Sequence, residues 1–393
     1  MTTSTEVTRR QIVLIGTLYV ISTSVLSVQA QAVAFTRQHM WLSYLVVFGV
    51  LLLPLWILFG LATRERDRDL FRLLIERYPV AGRIVTSVYM LYFFWIAVRD
   101  VRVTSDFLKV SIFQRTPMAV ITAIIVWAVV MLIRETGIRV LARSTEIYAP
   151  LLLLLVPFIV IMLAKDVEIR YILPLQEIDL PGVFQGAWLL GAYMGDILGI
   201  AFLVSGNGVR FRDGVTGLML ATGSLMIVST LAVMMLSVPV MAAMTFPIYE
   251  LVRQIRLTDF LDRFELPILA IWIPTVICKI GYSLYLVCLG FKRLVPDISG
   301  KRLAIPLGTL LFSCSFWFFE NAVDMINMNL TMPAVLYLFQ LVIPVLLFAA
   351  LWPKRRPARE GVDGGTKNPD GNGRGHGGDG GENGRNGERH GDP

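Results

Sequence analysis

About ten apolar stretches, each long enough to cross a bilayer, constrain what this chain can fold into. They run Gln11–Thr36, Trp41–Thr63, Gly82–Lys109, Pro117–Ile133, Ser144–Ala164, Phe184–Ser205, Val215–Met241, Leu266–Phe291, Leu303–Phe319 and Pro333–Trp352. Lipid offers the backbone no hydrogen-bonding partner, so such stretches fold as helices that satisfy themselves. The expected fold is all-α: a polytopic membrane domain of about ten transmembrane helices over residues 1–353. Charged residues make up only 17% of the sequence, against about 25% in soluble domains, so a soluble globular protein is excluded.

The net charge of +7 raises nucleic acid as a partner, and its placement argues against one. Arg64, Arg66, Arg68, Arg72, Arg77 and Arg83 crowd the second loop, Arg134, Arg139 and Arg143 the fourth, and Lys292, Arg293, Lys301 and Arg302 the eighth. The alternate loops are mostly poorer in basic residues. Basic short loops face the cytoplasm, so both termini are expected inside, with some attraction to anionic lipid. The first span is too long and too polar for a signal-peptide core and is read as retained. Cys278, Cys288 and Cys314 fall within spans at spacings that fit no metal or redox motif, and read as small packing residues.

Two segments lie outside the spans. The connection Ala243–Glu265 carries a mixed-charge helical pattern over Leu251–Arg263, expected to lie along the membrane surface. Residues 354–393 are rich in Gly, Asn, Asp and Arg, and are expected to be a disordered cytoplasmic tail. Its two histidines, His376 and His390, read as inert and not as metal ligands.

Two charges sit deep in apolar sequence. Lys279 is the one charged residue between Leu266 and Phe291, and Asp196 lies inside the Gly-rich segment Phe184–Ser205. A charge at the centre of a membrane helix costs about 2.5–3.5 kcal/mol and marks function by default. The two are expected to pair, either to serve ligand binding or gating or only to fix helix register. Spans one to five and six to ten lay out as two repeats of opposite topology, a 5+5 arrangement that places the binding site where the first helix of each repeat is broken. The corresponding segments are Ser22–Ser27, with Ser22, Thr23 and Ser24, and Gly191–Asp196, with Gly191, Tyr193 and Gly195. The alternative for Gly191, Gly195 and Gly199 is a stripe that lets two helices approach.

Arg99, Asp100, Arg102, Asp106 and Lys109 crowd the outer part of span three, and read as a solvated helix end or a contact with a partner protein. Tyr89, Tyr92 and Phe93 on the same span are candidates to line a cavity with Tyr193, or to pack. Glu146, Glu320 and Asp324 sit at span ends and read as interfacial. Gly206-x-Gly208 follows a membrane span and reads as a loop. The sequence holds no Walker loop, no Gly-x-Ser-x-Gly and no His-Glu-x-x-His, so no enzyme is expected, and no cofactor or metal.

Several local patterns carry a resemblance. Gly195-Asp196 looks like a Gly-acid pair on the sixth helix. Phe264-Glu265, Ala270-Ile271-Trp272 and Lys279 follow in order along the eighth, with Tyr78-Pro79 before span three and Trp41-Leu42 opening span two. In this order the chain, from Thr8 to about Trp352, resembles the B subunits of spore nutrient-germinant receptors, within the amino acid/polyamine/organocation permease superfamily. The resemblance implies an inverted-repeat, amino-acid-permease-like fold. It implies a membrane subunit that binds a small germinant, expected to be an amino acid, with Ser22, Thr23, Ser24, Tyr89, Gly191, Tyr193, Gly195, Asp196 and Lys279 as ligand-binding candidates. It further implies an A subunit and a lipoprotein C subunit as partners, in the spore inner membrane. The alternative is a secondary amino-acid transporter using a proton or sodium gradient. Where the family commonly has a glycine in the polar stretch of its first helix, the nearest here is Gly16, too early, so a standard carboxylate cradle is not expected.

Overall fold

A computed structural model describes residues 7–63, 69–173, 177–204, 209–255, 265–297, 300–319 and 322–351. The Gly206-x-Gly208 loop, Glu320, the far part of the Leu251–Arg263 pattern and the Gly-rich tail lie outside the described residues.

The first repeat opens with α1 (Arg9–Ser27), started by a reciprocal cap in which Gln11 N donates to Thr8 Oγ1 and Thr8 N donates to Gln11 Oε1. The chain breaks at Val28 (φ −128°, ψ 0°) and resumes as α2 (Gln29–Thr36). The long spans α3 (Met40–Ala62), α5 (Pro79–Ser111), α6 (Met118–Thr136) and α7 (Ile138–Leu163) follow, with the short α4 (Leu70–Arg77) before α5. Asp69 caps α4 through Arg72 N, and Pro79, whose missing N–H costs nothing at a helix start, opens α5.

The second repeat opens with α8 (Leu180–Met194), capped by Asp179 through Gly182 N. It tightens into a 3-10 turn over Gly195–Gly199 and resumes as α9 (Ile200–Leu203). Then come α10 (Phe211–Leu236), the short α11 (Val238–Ala243) and α12 (Pro247–Arg253), and the spans α13 (Glu265–Leu294) and α14 (Gly300–Trp317). A connecting helix α15 (Ala322–Thr331) leads to the last span, α16 (Pro333–Tyr337) and α17 (Ile343–Leu351), joined through a π turn at Leu338–Val342.

The ten expected spans are therefore present, as two sets of five, each led by an interrupted helix. The first interruption falls one residue past the expected Ser22–Ser27 segment, which is itself the helical last part of α1. The second falls at Gly195, within the expected segment. Among the described residues, eight stretches are long and apolar enough to cross a membrane, and Met118–Arg134 and Arg302–Trp317 are shorter apolar helices. Large apolar residues such as Leu91, Trp127, Leu154 and Ile161 stand on the outside, as lipid-facing positions require. Of the connection after α10, the described residues include only the start of the Leu251–Arg263 pattern. A short helix starts at Pro247, and Ile248, Tyr249, Leu251 and Val252 are buried, so α12 packs into the bundle. Phe107 of α5 anchors it, edge-on to Phe246 and Tyr249. Cys278, Cys288 and Cys314 are unpaired and buried.

Candidate functional site

An interrupted helix leaves carbonyls without their intrahelical partners, and in a membrane these need other donors. Side chains supply donors to three carbonyls next to the breaks. At the end of α1, Gln29 Nε2 donates to Ser24 O at 2.8 Å and Asn329 Nδ2 to Ser27 O at 3.1 Å. At the end of α8, Gln340 Nε2 donates to Ala192 O at 2.8 Å and to Tyr92 Oη at 3.0 Å. Trp272 Nε1 adds a bond to Ser22 O at 2.8 Å. The π turn in the last span carries Gln340, which is 1% exposed. Its extra residue per turn re-aims the side chain at the α8 terminus.

The two breaks flank a buried charge cluster. Lys279 Nζ lies 2.9 Å from Asp196 Oδ2, 3.1 Å from Asp100 Oδ2 and 2.5 Å from Thr23 Oγ1. Arg99 Nη2 reaches Asp196 Oδ2 at 2.5 Å and Asp100 Oδ1 at 3.0 Å, and Nε adds a contact to Asp100 Oδ1 at 3.1 Å. None of these side chains exceeds 4% exposure. Two cations and two carboxylates cancel, so the cluster is neutral as a whole and each charge faces an opposite one, which is what burial of ions requires. It ties α1 through Thr23, α5 through Arg99 and Asp100, the 3-10 turn through Asp196, and α13 through Lys279.

The expected contact between Asp196 and Lys279 is thus present, and it is half of a larger arrangement. Arg99, Asp100, Arg102 and Asp106 are buried, which overturns their reading as a solvated helix end or a partner contact. Arg102 pairs with Asp106 at 3.0 Å and donates to the carbonyls of Ser315 and Phe319 at the end of α14, at 3.2 and 2.7 Å.

Tyr193 stacks under the Arg99 guanidinium, whose carbon lies 4.0 Å from the ring centroid, and its hydroxyl donates to Asn329 Oδ1 at 2.6 Å. Tyr89 is elsewhere. It packs with Tyr92, Phe93, Phe202 and Phe339. That aromatic block fills the bundle on the side of the second, basic loop, with Phe71 of α4 against it. The structure therefore does not bring Tyr89 and Tyr193 to one cavity wall. Gly191 and Gly195 are closely packed: a Cβ on Gly191 would overlap the Tyr337 hydroxyl, and one on Gly195 the Gln340 amide. Ser22 and Ser24 are fully buried, and their hydroxyls have no partner among the described residues.

A small cavity of about 10 Å³, room for about one water, lies beside the cluster, with Arg99, Trp95, Tyr193, Asn329, Met332 and Leu336 among its lining. An apolar cleft of about 90 Å³ lies on the other side of α1, between α7, α10, α12 and α13.

Known solved structures share this architecture. MhsT in complex with L-phenylalanine matches with a TM-score of 0.64 at 14% identity, over 89% of this chain and 90% of that one. Mhp1, a nucleobase-cation-symport-1 family transporter with bromovinylhydantoin bound, matches with a TM-score of 0.62 at 12% identity, over 87% and 78%. At such identities the likeness shows the fold alone, an inverted-repeat transporter fold. Among sequence relatives, the spore germination protein YfkT of Bacillus subtilis (strain 168) is 29% identical over 339 residues, 86% of this chain and 94% of the relative. Spore germination protein KB of the same organism is 24% identical over 70% of this chain and 76% of its own length. Spore germination protein YndE is 22% identical over 90% and 98%. A family profile described as spore germination protein matches residues 6–323, which takes in both helix breaks and all four charges of the cluster. This multi-pass membrane chain belongs to the spore germination protein family.

Proposed function

We propose that the chain is the nutrient-sensing membrane subunit of a spore germinant receptor. It binds a small germinant, an amino acid, between the two interrupted helices, and its relative occupancy of two conformations then sets off germination. The observation that carries this reading is the neutral charge cluster, which joins Thr23 beside the first break to Asp196 in the second. A ligand that exchanges even one contact in such a cluster favours one arrangement of four helices over another, which is the differential affinity a switch needs. The family supports the germination role. The partners are an A subunit and a lipoprotein C subunit in the spore inner membrane, and the reading assigns the chain no reaction chemistry, cofactor or metal.

A secondary amino-acid transporter is the second reading, supported by the fold shared with MhsT in complex with L-phenylalanine. A strain lacking this gene, screened against single nutrients, separates the two from a scaffold role. Loss of response to one amino acid, restored by the intact chain, is the expected result. Uptake of that amino acid by the purified chain alone in liposomes would favour the transporter, and an unchanged response to every nutrient would sink the sensing reading.

A further inference from the structure

The outer faces of α6 and α14 form a groove of about 400 Å³. Its wall on α6 is Ala123, Trp127, Val130 and Arg134, whose spacing places them along one helix face. Its wall on α14 is Ile305, Thr309 and Phe312, again along one face. The helices meet at the floor, where Gly308 lies so close to Val130 that a Cβ would overlap the valine methyl. Trp127 is 63% exposed and Ile305 49%, so the groove opens to lipid. Thr309, polar in this wall, donates its hydroxyl to Ile305 O at 3.2 Å and so leaves the wall effectively apolar.

Arg134 breaks the apolar lining. It ends the α6 stripe on the side of the bundle that carries the basic fourth and eighth loops. Arg302 stands one turn before Ile305 and continues the α14 stripe to the same end. The two arginines bound the apolar parts of their helices, Met118–Arg134 and Arg302–Trp317. Both are exposed, and neither has an ion-pair partner among the described residues. Among the described residues, no acid lines the groove. A cation at headgroup depth with an apolar channel running from it fits an anionic phospholipid, phosphate first and acyl chain after.

Length selects between a lipid and a partner helix. From Ala123 to Arg134 the α6 wall rises about 16 Å. The hydrocarbon core of a bilayer is about 30 Å thick, so the groove is one leaflet deep. A transmembrane helix of another protein, or of a second copy, would call for a groove through both leaflets, whereas an acyl chain needs only one. We propose that the groove between α6 and α14 binds one anionic phospholipid, with its phosphate held by Arg134 and Arg302 and an acyl chain along Trp127 and Phe312. The site lies on helices that contribute no charge to the buried cluster, and it stands independently of the germinant reading.

The test is native mass spectrometry of the purified full-length chain in detergent. Palmitoyl-oleoyl phosphatidylglycerol is compared with phosphatidylcholine carrying the same chains, so that the headgroups alone differ. One phosphatidylglycerol should bind about tenfold tighter than the phosphatidylcholine. Equal affinities overturn the proposal with no variant needed. Arg134→Gln combined with Arg302→Gln should remove the preference. Arg77→Gln combined with Arg83→Gln, which changes exposed basic residues on α4 and α5, should leave it intact. Equal losses in the two double variants would mean a general effect of basic surface and no site at the groove. Thr309→Trp keeps both arginines and fills the path of the acyl chain, so it should weaken phosphatidylglycerol by a similar factor. Unchanged lipid binding by Thr309→Trp would place the chain elsewhere and overturn the proposal. If that variant instead turns a dimer of the chain into a monomer with lipid binding unchanged, the groove is an interface between copies and the lipid assignment is wrong.

Discussion

Lys279 Nζ lies 2.9 Å from Asp196 Oδ2, and that carboxylate oxygen is also the one that Arg99 Nη2 approaches at 2.5 Å. One oxygen thus holds two cations from two helices, at the point where the sixth span changes from α to 3-10 geometry. The relation makes the second helix break part of the electrostatics of the bundle: the turn at Gly195–Gly199 carries the carboxylate that reaches both α5 and α13. Asp100 closes the ring from the other side, bonded to the same two cations.

Removing one member of this ring should therefore be worse than removing a complementary two. Lys279→Met leaves two carboxylates with one guanidinium in a dry interior, at an expected cost of about 3–5 kcal/mol. Lys279→Met combined with Asp196→Leu leaves Arg99 and Asp100 as a neutral pair, and should recover a good part of that loss. Thermal denaturation of the purified variants measures it. A double variant as unstable as the sum of the singles would show that Lys279 and Asp196 do not interact.

The spans, their number and the two-repeat layout were legible because hydropathy is read one helix at a time. So were Lys279 and Asp196, each alone in an apolar run. Arg99 and Asp100 were visible as charges and misread as wet, because a run of alternating charges on one helix looks the same whether water or a second helix faces it. Gln340 and Asn329 gave no signal at all. Each satisfies a carbonyl freed by a break in a helix more than a hundred residues away, and nothing local in the sequence records such a debt. The first break was placed within one residue, but its cause, the turn at Val28 held by Gln29, was not visible in the Ser-Thr run before it.

The close approach of Gly195 to Gln340 yields a rescue experiment. A methyl group at Gly195 would overlap the Gln340 amide, which is held by Tyr92 Oη and Ala192 O and cannot swing away freely. Gly195→Ala should cost about 1–3 kcal/mol of stability through overpacking. Gly195→Ala with Gln340→Ala removes the overlap and should restore part of it, limited by the Ala192 carbonyl then left unsatisfied. Denaturation midpoints check this. If the double variant is no better than Gly195→Ala, the clash is not the cause of the loss.

Topology is open to a labelling test. The basic second loop is expected inside, so a cysteine at Arg72, on the exposed side of α4, should resist a membrane-impermeant thiol reagent in intact cells. A cysteine at Glu177, exposed just before α8, should react. The three native cysteines are buried and should add little background. The opposite labelling pattern would invert the orientation assigned to every span.

The inner end of the bundle is tied by Asp69, whose two oxygens do different jobs. Oδ1 accepts from Arg72 N at 3.0 Å and caps α4, while Oδ2 accepts from Arg293 Nε at 2.8 Å and so holds the end of α13. Phe71, the second residue of α4, packs on Phe93 and Phe202, so the cap and the ion pair together position the helix that backs the aromatic block. The two contributions separate by substitution. Asp69→Asn keeps an oxygen for the cap and loses the charge, Arg293→Met loses the charge partner alone, and Asp69→Ala loses both. The Arg293 side chain is 32% exposed, so the pair is screened and its loss should cost about 1 kcal/mol or less, and less still at high salt. The cap should add about 1 kcal/mol on its own. Asp69→Ala is therefore expected to be the least stable of the three, with Asp69→Asn and Arg293→Met close to each other, in denaturation of the purified chain at low and high salt. Equal midpoints for Asp69→Ala and Asp69→Asn would mean that the cap contributes nothing and that the ion pair alone holds α4 in place.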